Sequence, residues 1–527
     1  MIKQASVQQE IQRLWSRGEA ATTGKRWREA ADAFAAIVAR DPGHLPALLK
    51  STSALLQLDS YRAARNSLLA AMKLANDHPG LVLELGRKLR TFHEAELLLD
   101  LVRQSGFVRR ADPRMLTEMA LMVSSVGDQE LALQLVTQAV VLDPRGAQPH
   151  YLRGTVLMFL GRMEEAEAEL ENSIRLLPSF AQSHWVLSRL RKWSEADNHV
   201  DRIRRQLDAA GAGTETEAYL SFALHNELHD LKRHDESWQA LDRGCHAKRK
   251  IDPYDEKKGR ELLERIKSLC TPEFVASQSR HDEYTPIFIV GMHRSGTTLL
   301  ERILGGHSQV ADGGETYAFT AQLKIAADHK IQHALDMAAV ERLATCDFDS
   351  IGRGFIAGSR WRTKGKPFLT EKLPPNFVNA GFIAKSLPSA RILHMARSPV
   401  DTCFSNLRTY FSNAALYSFD QIALANHFKQ YQDLMHHWRE AMPERLLDIS
   451  YDALVTSTEP VSRDIFAFCG LPFESDALRV ERETGAVSTA SSAHVRQGIL
   501  KDRGAAWKPY ESYLQPLLGR LSELGVI

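Results

Sequence analysis

Several things are scarce in this chain of 527 residues, and each scarcity narrows what it can be. Only five cysteines occur, Cys245, Cys270, Cys346, Cys403 and Cys469, and no two have metal-ligand spacing. That argues against a zinc site or a disulfide framework and fits a reducing compartment. An excess of one charge is missing: 66 Lys and Arg face 65 Asp and Glu, a formal net charge of +1. No nucleic-acid coat is expected, although a local basic pocket is compatible with this balance. No apolar run reaches ~18 residues, so no transmembrane helix is expected. The opening MIKQASVQQEIQRLW has no apolar leader stretch. The expectation is a soluble, cytoplasmic protein. Hydrophobic residues at 44% and charged residues at 25% are ordinary for a globular chain and speak against global disorder.

What is present first is an internal period. Alanines at similar points of helical patterns recur at Ala30, Ala64, Ala95, Ala132 and Ala166, in steps of 34, 31, 37 and 34. Prolines recur at Pro42, Pro79, Pro113, Pro144 and Pro178 with the same average step. In residues 147–180 a small residue, Gly154, sits mid-way along one helix, Gly161 ends it, Ala166 and Leu170 face inward from a second, and Pro178 closes the unit. Small residues permit close helix approach, and proline stops a helix. Gly18, Ala30, Phe34 and Pro42 hold equivalent places in residues 11–44. The pattern resembles the tetratricopeptide repeat over about 170 residues. Unit four matches with Ala120 for glycine, and units two and three read as degenerate, with shifted spacing. Residues 181–280 stay helix-like and charged, with a helical pair expected over 217–241, as a bridge or as divergent repeats. Two uses of the array fit: a spacer or dimerisation surface, and a concave groove for a protein or peptide partner.

At residue 284 the texture changes. Pro286-Ile287-Phe288-Ile289-Val290 is a continuous apolar run, as expected of a parallel strand buried on both faces. It leads into Gly291-Met-His-Arg-Ser-Gly-Thr-Thr298 and then an apolar helix. Strand, glycine loop, helix is the architecture of a phosphate cradle. The loop has Walker-type glycine spacing, but Gly296 is followed by Thr297 where that motif needs lysine, and its cation is Arg294. Further strands are expected at Phe368-Leu-Thr, leading into Glu371 and Lys372; at 391–396, leading into Arg397; and at 446–451. Arg294, Lys372, Arg397 and Tyr451 then fall at strand ends, where parallel sheets bind ligands. Arg397 and Ser405, on the following helix, suit a second phosphate because the guanidinium fork pairs its oxygens in a fixed orientation. The fold class expected is an N-terminal all-α tetratricopeptide-type solenoid (1–180), a helical bridge (181–280), and a C-terminal α/β P-loop-like domain with a mostly parallel sheet (281–527).

Residues 286–315 with Arg397 and Ser405 resemble the sulfotransferases, most closely the tyrosylprotein sulfotransferase branch, over residues 284 to 527. Bacterial proteins that join tetratricopeptide repeats to such a domain have this architecture. The resemblance implies the sulfuryl donor 3′-phosphoadenosine 5′-phosphosulfate and no metal. It implies that Arg294, Ser295, Gly296, Thr297 and Thr298 bind the 5′-phosphosulfate end, that Arg397 and Ser405 bind the 3′-phosphate, and that Tyr451 lies near the nucleotide. Glu315 matches the family's glutamate base, Lys372 a catalytic lysine, and Ser491 (or Ser492) a serine on the transferring group. Two departures stand near the C-terminus: Gly498 replaces an expected proline, and 504–508 is longer than the family's compact motif. The acceptor is a hydroxyl, with protein tyrosine the nearest suggestion. His293 and His394 are alternative bases. A nucleoside-triphosphate-dependent kinase and a non-catalytic, nucleotide-sensing adaptor are the competing readings, and the missing loop lysine counts against the first.

Overall fold

The computed structural model describes residues 2–276, 283–331, 334–481 and 505–527, with side chains from residue 7 onward. Up to Val275 the described chain is all helical. Antiparallel pairs such as Leu45–Gln57 with Tyr61–Met72, Pro113–Ser125 with Gln129–Leu142, and Ala147–Leu160 with Met163–Leu176 stack on their neighbours. Two series of residues hold each pair together. Gly18, Thr52, Gly86, Ala120 and Gly154 let the helices approach: a Cβ on Gly18 would lie 2.6 Å from Phe34 Cε1, and one on Gly154 2.8 Å from Leu170 Cγ. Opposite them Ala30, Ala64, Leu98, Ala132 and Ala166 are all fully buried. Both series run in steps of 34 residues.

The spacing of units two and three is therefore regular, which corrects the reading of them as shifted. Leu98, not Ala95, is the equivalent of Ala64. Pro79 and Pro113 do not close helices; they open Pro79–Thr91 and Pro113–Ser125, where a missing N–H costs nothing. The turn inside each pair carries a left-handed residue at the same period: Lys25 (φ 54°), Asp59 (φ 58°), His93 (φ 59°), Gly127 (φ 98°) and Gly161 (φ 83°). Three of the five are not glycine, at a cost of roughly 1–2 kcal/mol each.

The α/β unit is built on five parallel strands: β1 (Thr285–Val290), β2 (Val310–Ala311), β3 (Phe368–Lys372), β4 (Arg391–Ala396) and β5 (Leu446–Ser450), in the order β2-β3-β1-β4-β5. Four strands lie where the apolar runs place them; β2, two residues long, has no such signature. Side chains of β1 alternate between two cores. Phe288 and Val290 join one hydrophobic cluster, Ile287 and Ile289 another, which is why the strand is apolar without interruption. The first cluster continues without a break into the helices Glu215–Asp230, His234–Ile251 and Glu256–Leu269 through Phe222, Leu241, Cys245 and Ile266. It also takes in Tyr510, Leu514, Leu517 and Leu521 near the C-terminus. β1 and β4 lie side by side, and the connections leaving their carboxyl ends run in opposite directions, to β2 and to β5, which opens a crevice there. Among the described residues no helix is long and apolar enough to cross a membrane.

Leu98→Ala should lower array stability by about 2–5 kcal/mol, the usual range for a fully enclosed leucine. Denaturant unfolding followed by helical circular dichroism checks this.

Candidate active site

The glycine loop occupies the crevice at the end of β1. Gly291 (φ 150°) donates its N–H to Pro374 O at 3.1 Å, and a Cβ there would stand 2.7 Å from Met395 O, so the loop threads between the chains leaving β3 and β4. Gly296 (φ 106°) passes so close to Tyr451 that a Cβ would meet the ring at 2.3 Å. The helix Thr297–Leu304 starts immediately after, and its first-turn N–H groups and dipole favour an anion at the loop. Thr297 and Thr298 are buried at that helix start. The Ser295 hydroxyl is buried with no hydrogen-bond partner among the described residues.

Two loops separated by about a hundred residues meet here. Arg294 Nε donates to Ser405 Oγ at 3.2 Å, and Arg397 Nη1 donates to Arg294 O at 3.4 Å. The Arg397 guanidinium also lies 4.6 Å from the centre of the Tyr451 ring, a cation–π contact. Ser405 rides on the helix Pro399–Leu407, whose Asn406 donates to His293 O at 2.7 Å and clamps the helix to the loop. Asp401, in its first turn, accepts from Ala505 N at 2.8 Å. Ser295 and Arg397 line a cleft of about 130 Å³ that extends behind β4 to Thr402 and Arg439.

Beside the loop lies a buried ammonium. Lys372 ends β3, in register with Ile289, and is fully enclosed. Its Nζ bonds Glu315 Oε1 and lies 3.7 Å from Glu301 Oε2. Burial alone would lower the lysine's pKa, but Glu315 and Glu301 outweigh it and hold the ammonium above the usual lysine range. Glu301 itself goes the other way. Burial, with Asp312 hydrogen-bonded beside it, holds its carboxyl well above the ordinary range. Neither Glu301 nor Asp312 stood out in the sequence. The available signal was one glutamate, beside an arginine, among the leucines and isoleucine of the loop helix.

The Glu315 segment is held from behind. Gly313 is packed so that a Cβ would fall 2.0 Å from Thr370 O, and Lys372 N donates to Gly314 O at 3.1 Å. Glu371, buried, accepts from Thr316, from Asn376 Nδ2 at 3.2 Å and from the Phe319 N–H; burial nevertheless pushes it up to about 7. The two histidines are occupied differently. His394 is buried in β4, with Nδ1 on Asp448 and Nε2 on the Tyr431 hydroxyl. His293 Nδ1 faces the Tyr417 hydroxyl at 3.2 Å, and burial, with Lys372 and Arg294 nearby, lowers it to about 4. Glu315, Lys372 and Arg294 all act electrostatically on that imidazole, so the three share one neighbourhood. Ser491 and Ser492 lie outside the described residues.

Residues 286–475 match the model of the Sulfotransferase family. An uncharacterized protein of Aquifex aeolicus (strain VF5) is 28% identical over 378 residues, which are 70% of this chain and 49% of that protein. The chain thus spans about half the length of this curated relative. Among solved structures, the sulfotransferase domain from the curacin biosynthetic pathway aligns at 18% identity with 46% of this chain and 99% of its own, with a TM-score of 0.32. YrrB, a tetratricopeptide-repeat protein with an unusual peptide-binding site, aligns at 16% identity with 32% of this chain and 86% of its own, with a TM-score of 0.28.

Glu371 titrates inside the fold, and the sign of its effect is set. Its native pKa of about 7 lies above the ordinary 4.5. Between those values the native chain keeps a proton that the unfolded chain has released. Stability is full below 4.5, falls as pH rises to about 7, and is flat above. Glu371→Gln should flatten that fall. Melting temperatures of both proteins at about pH 5 and about pH 8 provide the check.

Proposed function

We propose that this chain transfers a sulfuryl group from 3′-phosphoadenosine 5′-phosphosulfate to a hydroxyl acceptor, with Glu315 as general base. The observation that carries the reading is the bond between Arg294 and Ser405, which joins the glycine loop to the Arg397 segment beside the Lys372–Glu315 pair. The residues present fit a ligand anionic at two ends. The buried, unpartnered Ser295 hydroxyl and the start of the Thr297–Leu304 helix suit one end. Arg397, fixed over Tyr451, and Ser405 suit the other.

When bound, the donor supplies the sulfuryl group, and adenosine 3′,5′-bisphosphate is its product. The protein's part is positioning and charge. Glu315, partly exposed while Lys372 is enclosed, is the member of the pair that an incoming hydroxyl can reach, and it accepts that hydroxyl's proton. Lys372 and Arg294 face the charge that grows on the bridging and sulfuryl oxygens, where fixed cations in a dry site act most strongly. Glu301, 3.7 Å from the ammonium, joins Glu315 in favouring the charged form of Lys372. Tyr451 packs between the loop and Arg397 at the nucleotide's place. A protein or peptide hydroxyl, tyrosine first, is the acceptor class that suits an extended helical array.

Glu315→Gln should cut kcat on the order of 10²-fold or more and leave donor affinity nearly unchanged. Single-turnover kinetics with labelled donor reads both; near-native turnover would remove Glu315 from the mechanism. Arg397→Ala should weaken adenosine 3′,5′-bisphosphate by about 10- to 150-fold, the worth of a charge-assisted hydrogen bond, and weaken adenosine 5′-phosphosulfate much less. Calorimetric titration with both ligands decides, and equal losses would mean that Arg397 does not read the 3′-phosphate.

A further inference from the structure

Three consecutive left-handed turns of the array, at Asp59, His93 and Gly127, meet the α/β unit. Asp59 Oδ1 accepts the Lys330 N–H at 2.8 Å, and its Oδ2 meets His329 Nδ1 at 2.7 Å and Arg342 Nη2 at 2.9 Å. Its equivalent one repeat later, His93, receives Lys324 Nζ at 3.0 Å on Nε2 and stacks on Tyr317, with ring centres 5.4 Å apart at 29°. At the next equivalent turn, Arg362 Nη2 donates to Val126 O at 2.9 Å. Ile325 and Trp361 of the α/β unit pack into the array's own hydrophobic cluster. Three consecutive repeats therefore touch the segments around residues 317–362 through one edge.

Two of these turns hold strained residues where glycine fits without strain. Backbone strain that persists is retained by what the side chain does. Asp59 and His93 both spend their side chains on contacts across the seam. His93 reaches furthest toward the chemistry, because Tyr317 lies two residues after Glu315; burial, with the Glu315 charge second, raises the Tyr317 hydroxyl's pKa. Tyr317 nevertheless keeps 46% of its surface exposed. One face of its ring is covered by the array, and the rest is open beside the base.

We propose that the repeat array forms one wall of the acceptor entrance: His93 is a positioning residue that fixes Tyr317, and the open surface of Tyr317 receives a flat or apolar group next to the acceptor hydroxyl. The acceptor half of this rests on reading Glu315 as the base; the docking half does not. An acceptor then touches repeat and α/β unit at once. The contacts at Asp59 hold the seam on one side of His93, and that at Val126 on the other.

The test uses the full-length chain as wild type, His93→Gly and His93→Phe. The glycine variant keeps the left-handed turn and removes the ring; the phenylalanine variant keeps a ring on Tyr317. Amide hydrogen exchange over residues 312–330 should rise about fivefold or more in His93→Gly, stay near wild type in His93→Phe, and be unchanged in β1. Unchanged exchange over 312–330 in His93→Gly overturns the docking. With a tyrosine-containing peptide as probe acceptor, His93→Gly should raise KM about fivefold while kcat stays within about twofold, and His93→Phe should restore KM. An unchanged KM, or a fall in kcat alone, overturns the wall. A melting shift with adenosine 3′,5′-bisphosphate separates the two readings. If wild type shows none and sulfates no peptide, the sulfotransfer reading and the wall fall together, and the exchange data still decide the docking.

Discussion

The buried ammonium of Lys372 is the interaction on which the site depends. An enclosed cation is tolerated only with carboxylates in place around it, and here it has Glu315 on one side and Glu301 on the other. Burial, with Asp312 beside it, holds the Glu301 carboxyl well above its ordinary range, while both glutamates favour the lysine's charge. The strand end, the loop helix and the Glu315 segment are thereby tied to one atom. β1 and β3 must pair in register for that atom to stand beside the glycine loop. A one-residue slip would turn Lys372 to the other face of the sheet.

The array and the sheet are organised on different principles, and the seam between them mixes apolar packing with directional polar contacts. Within the array, contacts repeat from neighbour to neighbour. Across the seam the apolar packing of Ile325 and Trp361 is joined by directional polar contacts: a carboxylate, an imidazole and a backbone carbonyl at three equivalent turns. Such contacts set an orientation more than they add stability, since exposed ion pairs contribute little. Glu371 works in the same way inside the α/β unit, holding the Glu315 segment through Thr316 and Phe319.

Much of this was legible in the sequence where a residue type has one physical use. An apolar run between glycines reads as a two-faced strand, and the run in β1 divides between two cores. The glycine loop, Arg397 and Ser405 could be placed because parallel sheets expose one end to ligands, and the structure brings them together. Other features were hidden for reasons just as physical. β2 is too short to carry a period. Repeats two and three looked irregular because Leu98, not Ala95, holds the place equivalent to Ala64, and because Pro79 and Pro113 mark starts, not ends. Glu301 could not be weighed without Asp312 and Lys372, which come from other elements. Ser491 lies outside the described residues.

The shared hydrophobic cluster carries a consequence for how the protein is made. Phe222 and Leu241 lie in the same cluster as Leu514, Leu517 and Leu521, and the Tyr510 hydroxyl bonds Ser237 Oγ at 3.0 Å. On the ribosome the early repeats can close on one another as they emerge, since each needs only its neighbour. The helices over 215–269 cannot; their apolar faces wait for β1, for the Gln421–Ala441 helix and finally for residues 510–521. For that interval a nascent chain presents a finished solenoid attached to an open, sticky half-core. That half-core is the species a holding chaperone meets, and truncation within residues 510–521 would leave it in that state.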